Sequence, residues 1–144
     1  MKRKEFIKSA CTTCALFAIP SISSILLESC ASLPAFTTIA DVEKKQCIIP
    51  IDQFAGSNLL LLRIKKFDFD FVVIKKQDNT YKTLQLKCTH EDQPLGVTTK
   101  NIYCSSHGST FDFDGKAMKE PASRPLRTFK TLLEGNQIII DLSN

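Results

Sequence analysis

The stretch Cys88-Thr89-His90, thirteen residues, then Cys104-Ser105-Ser106-His107-Gly108-Ser109-Thr110-Phe111-Asp112 decides the reading of this 144-residue chain. The pattern is C-x-H…C-x-x-H, and its two histidines are the only ones in the protein. Thiolate and imidazole both suit zinc and iron–sulfur centres. Two of each on two short segments make a metal centre the first expectation. A structural Cys₂His₂ zinc site is one solution. Zinc modules, however, usually pair like with like, as C-x₂₋₄-C and H-x₃₋₅-H. Each segment here brings one thiol and one imidazole instead.

The flanks are more specific. Pro94-Leu95 follows the first pair, Gly115 follows the second, and Pro121-Ala122-Ser123-Arg124-Pro125-Leu126 comes after. The whole pattern, C-x-H, later C-x-x-H-G-S-x-F-D, then P-A-x-x-P-L, resembles the Rieske [2Fe–2S] family from about Cys47 to the C-terminus. In such centres two histidines replace two cysteines on one iron. The resemblance implies an all-β fold, an antiparallel β-sandwich with a cluster-binding subdomain of two ligand loops. It implies one [2Fe–2S] cluster per chain, with Cys88 and Cys104 on a buried iron and His90 and His107 on an exposed one. It also gives three neighbours a place around the cluster. Ser109 matches a serine that donates a hydrogen bond toward cluster sulfur in quinol-oxidising members. Phe111 falls where those members carry a tyrosine hydroxyl. Pro121 opens the proline-stiffened loop to Pro125 that covers the cluster, although Glu120 stands where many members have glycine.

Mixed ligation tunes the potential. Two neutral imidazoles in place of two thiolates make an added electron easier to accept, and potentials rise to about −150 to +300 mV. Quinol-oxidising members also join their loops by a disulfide, which Glu91-Asp92-Gln93 and Ser105-Ser106 cannot form. Without that bridge and the tyrosine donor, and with acidic neighbours, an intermediate potential is expected.

The N-terminus reads as an export signal over residues 1–30. Met1-Lys2-Arg3-Lys4-Glu5-Phe6-Ile7-Lys8 is basic and resembles a twin-arginine motif with the second arginine changed to lysine. Ala10 to Leu27 is apolar but flecked with Ser and Thr and broken by Pro20, a marginal membrane span. Leu27-Glu28-Ser29-Cys30 reads as a lipobox that would make Cys30 a lipid attachment site. Cleavage after Ala31 and an uncleaved anchor are the alternatives. Residues 31–45 read as a tether and residues 46–144 as the Rieske domain. The expected location is the periplasmic side of a bacterial membrane, tethered through a lipid or the N-terminal segment. Cys11 and Cys14 fall inside the signal, and Cys47 opens an apolar run as a core thiol.

Beyond residue 30 the chain carries fifteen Lys/Arg against thirteen Asp/Glu, a near balance that offers nucleic acid nothing. Strands are expected over 58–66, over the period-two run 67–74, and over 81–87 leading into the first ligand loop. Residues 101–103 lead into the second loop. Hairpins are expected over 111–118, turning at Asp114-Gly115, and over 126–142, turning at Glu134-Gly135-Asn136. No nucleophile–base pair stands out, so no independent catalytic site is expected. One-electron transfer at the cell envelope, among redox protein partners such as a cytochrome or an oxidoreductase subunit, is the expected function. The alternatives are a Rieske subunit of a larger quinol–cytochrome or molybdenum oxidoreductase and a zinc-stabilised module.

Overall fold

The structure is a computed structural model that describes residues 32–143 apart from Val42 and Lys66. The expected export signal and Cys30 lie outside the described residues. Among those described, no helix is long and apolar enough to cross a membrane.

The described residues form twelve strands in chain order: β1 (Ala35–Ile39), β2 (Gln46–Pro50), β3 (Leu59–Lys65), β4 (Phe71–Lys75), β5 (Tyr81–Gln85), β6 (Gly96–Val97), β7 (Ile102–Tyr103), β8 (Thr110–Phe111), β9 (Ala117–Lys119), β10 (Thr128–Phe129), β11 (Thr131–Glu134) and β12 (Gln137–Asp141). They form a central five-stranded sheet in the order β1-β3-β4-β5-β10, a three-stranded sheet β11-β12-β2 and a four-stranded sheet β6-β7-β8-β9. All pairings are antiparallel except β1 with β3.

The apolar runs of β3 and β4 explain this layering. Successive side chains of a strand point to opposite faces, so a strand with no polar alternation must be covered on both sides. Leu59, Val72, Ile74, Leu84 and Leu86 pack with Cys88, Leu95, Ile102, Cys104 and Phe111, joining the central sheet to the four-stranded one. The intervening residues Leu60, Leu62, Ile64, Phe71 and Val73 pack with Cys47, Ile49, Phe129, Ile138 and Ile140, joining it to the three-stranded sheet. At about 1.5–3 kcal/mol for each fully buried Leu, Ile, Val or Phe, these two cores dominate the favourable side of folding. The first core also contains both cysteines of the motif, so the two motif segments are anchored by apolar burial.

Three expectations are revised. The alternating run Phe67-Asp68-Phe69-Asp70 is the β3–β4 connection, because Leu62 pairs with Phe71 and strand β4 starts only there. Phe67 instead packs edge-on against Phe71 at 5.3 Å, and Asp70 receives a two-pronged ion pair from Arg63. The stretch 126–133 is two strands, not one. β10 pairs with β5 in the central sheet, and β11 pairs with β12 in the small sheet, so the chain changes sheets at Lys130. The stretch 31–45 contributes β1, which covers the outer edge of β3 and so hides a row of backbone groups that would otherwise be unpaired.

Candidate metal centre

The two motif segments lie on loops of the same backbone design. In the first, between β5 and β6, the Cys88 N–H donates to Gln93 O (2.8 Å) and the Asp92 N–H donates back to Cys88 O (2.9 Å). In the second, between β7 and β8, the Cys104 N–H donates to Ser109 O (2.9 Å) and the Gly108 N–H donates to Cys104 O (3.0 Å). Each loop thus closes on the carbonyl five residues past its cysteine. Each turns through a left-handed residue four past it, Asp92 at φ 47° and Gly108 at φ 78°. Asp and Gly tolerate that backbone region better than most residues do. The Lys87–Pro94 bridge pins the base of the first loop.

The donors sort by depth. Cys88 and Cys104 are buried, whereas His90 and His107 are exposed, their ring centroids 5.1 Å apart and their planes perpendicular. Burial pushes the Cys104 thiol up. The N–H groups of His107 and Ser106, the Cys88 thiol and the Ser106 hydroxyl outweigh it, so the thiol is held below its ordinary value. A sulfur surrounded by donors is suited to carry the negative charge of a metal-bound thiolate.

Spacing separates one ion from two. The donor atoms that lie within 4.8 Å of one another belong to His90, Glu91 and His107, and neither cysteine is in that group. A tetrahedral Cys₂His₂ zinc, with bonds of about 2.0–2.3 Å, needs all four donors roughly 3.5 Å apart. A thiol pair below and an imidazole pair above fit a two-iron cluster better, each pair serving one iron. Glu91 Oε2 stands 3.7 Å from His107 Nδ1, which places negative charge at the rim.

The third loop holds the other two in place. Ser109 is fully buried, and its Oγ accepts the Ala122 N–H at 3.0 Å. Thr89 Oγ1 donates to Arg124 O (2.7 Å), and Arg124 Nη2 donates to Thr89 O (2.9 Å). The Pro121–Pro125 loop therefore clasps both motif loops. Pro121 is exposed and the Glu120–Pro121 peptide is cis. Glu120 is not among the residues with positive φ, so that position does not call for the conformational freedom of glycine. Phe111 is fully buried in the core that contains both cysteines and offers them no hydroxyl. Thr89 and Arg124 were not singled out by the sequence reading. Both occupy "x" positions of the motif, and only the fold reveals that they face each other.

The chain matches the profile of the Rieske [2Fe–2S] domain over residues 44–130. The plasma-membrane Rieske protein PetC3 of Synechocystis PCC 6803 superposes with a TM-score of 0.54 at 23% identity, over 63% of this chain and 93% of that one. A chain of the complex between oxygenase and ferredoxin in carbazole 1,9a-dioxygenase gives 0.53 at 13% identity, over 69% and 94%. Naphthalene 1,2-dioxygenase gives 0.56 at 15% identity, over 69% of this chain and 26% of that larger one. At such identities the likeness is one of fold. No curated protein matches the chain in sequence.

Proposed function

The chain belongs to the Rieske [2Fe–2S] domain family, and from that premise we propose that Cys88, His90, Cys104 and His107 are the four ligands of its single cluster, in a one-electron carrier that works at the cell envelope. When bound, such a cluster takes up and gives back one electron at a time.

The observation that carries the ligand assignment is the layered donor set, with buried thiols below and exposed imidazoles above on two loops of matching design. Both cysteines are kept away from water, and the Cys104 sulfur lies among N–H donors. The histidines present their ring edges to solvent, where a ring nitrogen not bound to metal can exchange a proton and bring a partner within reach. Ser109, already accepting from Ala122, keeps its own O–H free to donate toward cluster sulfur. Phe111 has no hydroxyl to do the same, and Glu91 adds negative charge beside the imidazoles. Fewer donors and a nearby carboxylate both support a potential below that of quinol-oxidising Rieske proteins.

Export, and membrane attachment through Cys30, rest on the basic N-terminus, the apolar run and the Leu27-Glu28-Ser29-Cys30 sequence. The plasma-membrane address of one structural neighbour is compatible with that location. The partners are then redox proteins of the envelope, a cytochrome or an oxidoreductase subunit. Purified holoprotein tests the ligand set. Cys88→Ser or Cys104→Ser should abolish the visible iron–sulfur bands and loosen the loops, since metal binding and folding are coupled. A colourless wild-type protein carrying stoichiometric zinc would overturn the assignment. Mass spectrometry of the membrane fraction tests the anchor: a chain starting at Ser32 or near Met1 would rule out lipid on Cys30.

A further inference from the structure

A groove of about 450 Å³ opens beside the first ligand loop, lined by Lys87, Cys88, Thr89, Asp92, Arg124 and Arg127 among others. Its charge is one-sided. Lys87 and Asp92 pair at 3.0 Å and offset each other. Arg124 and Arg127 have no carboxylate within ion-pair distance among the described residues. Both are held in position: Arg124 by its bond to Thr89 O, and Arg127 by stacking over the Phe129 ring at 4.8 Å. Stacking on a ring face leaves the guanidinium edge, with its planar fork of donors, free for a carboxylate. One wall of the groove is Cys88, a proposed iron ligand. Neither histidine lines the groove, and the exposed histidines have the acidic Glu91 as their neighbour instead.

We propose that this groove is a docking site for a carboxylate-bearing surface of an electron-transfer partner, read by Arg124 and Arg127. It is a second face in addition to the histidine tip. The proposal rests on the electron-transfer reading above and names the partner chemistry that reading leaves open. Preset guanidinium groups lose little entropy on pairing. Their net positive charge also steers an acidic surface toward the loop before contact, an effect strongest at low ionic strength.

The test uses holoprotein with its iron–sulfur spectrum verified, so that loss of the cluster is recognised separately from loss of docking. Hexaglutamate peptide is the probe, with binding measured by calorimetry at 10 and 200 mM salt. In parallel, stopped-flow oxidation of the reduced protein by ferricyanide, one electron reducing one ferricyanide to ferrocyanide, is compared with oxidation by the cationic tris(phenanthroline)cobalt(III). Arg124→Gln/Arg127→Gln should weaken hexaglutamate binding and slow ferricyanide roughly three- to tenfold at low salt. Oxidation by the cobalt probe should not slow, and the ferricyanide difference should vanish at high salt. Lys44→Gln/Lys45→Gln removes the same charge from the turn before β2, on the opposite layer of the fold, and should do neither. Arg127→Gln alone, which leaves the Thr89–Arg124 bonds intact, should show part of the effect. Equal slowing by the two double variants, or hexaglutamate binding unchanged in Arg124→Gln/Arg127→Gln, would overturn the proposal.

Discussion

Replacing Ser109 by alanine should separate two contributions of a single oxygen atom. Ser109 is fully buried, Ala122 is 3% exposed, and the 3.0 Å bond between Ser109 Oγ and the Ala122 N–H is the contact that fixes the covering loop to the second ligand loop. Alanine removes the acceptor and leaves a buried N–H without a partner, a cost of about 1–3 kcal/mol. For a domain of this size each kcal/mol lowers Tm by roughly 4–8 °C, so Ser109→Ala should melt about 4–24 °C below wild type. The hydroxyl proton has a second use if it points at cluster sulfur. A hydrogen bond that strengthens by about 1 kcal/mol on reduction corresponds to roughly 40 mV, since 59 mV is tenfold for one electron, and the variant should titrate lower by that order. Ser109→Thr keeps the oxygen and should recover most of both losses. The assays are calorimetric melting and protein-film voltammetry on the same preparations. A Tm within 1 °C of wild type together with an unchanged midpoint would refute the reasoning from burial and bonding.

Other sites test the packing and the surface. Cys47, buried with its thiol pushed up to about 11 by desolvation, is neutral and remote from the motif. Cys47→Ser should lose stability by about 1–3 kcal/mol through a buried hydroxyl yet leave the visible spectrum intact. At Gly96 an added Cβ would lie 2.5 Å from two ring carbons of Tyr103, the residue before Cys104. Gly96→Ala should lower Tm, and the Gly96→Ala/Tyr103→Ala pair should cost less than the sum of its parts in a double-mutant melting cycle. Asp114 accepts from Lys76 and Lys82, contacts that hold its carboxyl below the usual carboxylate range. Its folded value lies beneath the unfolded one of about 3.9, so the stabilisation is present above pH 4 and fades as pH falls through the folded value. Asp114→Asn should therefore melt lower than wild type at pH 7, and the gap should close on acidification and in high salt.

The family was legible in the sequence because its motif is local. Cys and His at short spacing, followed by Gly108 and Pro121, carry their meaning within a few residues each. The strands that bury both faces were legible for the same reason, as in Leu59–Lys65. What pattern reading misplaced depends on contacts far along the chain. Phe67 to Asp70 alternates like a strand but has no partner strand there, because β3 and β4 already pair at Leu62 and Phe71. Residues 126–133 look like one strand, and only the competing demands of β5 and β12 divide them at Lys130. β1 is a run of only five residues with two adjacent threonines, and it forms because the edge of β3 is open beside it. The Thr89–Arg124 clasp spans thirty-five positions between residues of ordinary type, so no local signal announced it. The matching hydrogen-bond frames of the two ligand loops did leave a trace, a turn-tolerant Asp92 or Gly108 four places after each cysteine, which was there to be noticed.

The ligand set is tested most directly by pulsed electron-spin resonance of the reduced holoprotein, measuring nitrogen hyperfine couplings in wild type, His90→Cys and His107→Cys. Two strongly coupled ring nitrogens are expected in the wild type, and one should be lost in each variant that still holds a cluster. A wild-type signal with no coupled nitrogen, or both couplings surviving in His90→Cys, would show that Cys88, His90, Cys104 and His107 do not share the cluster as proposed.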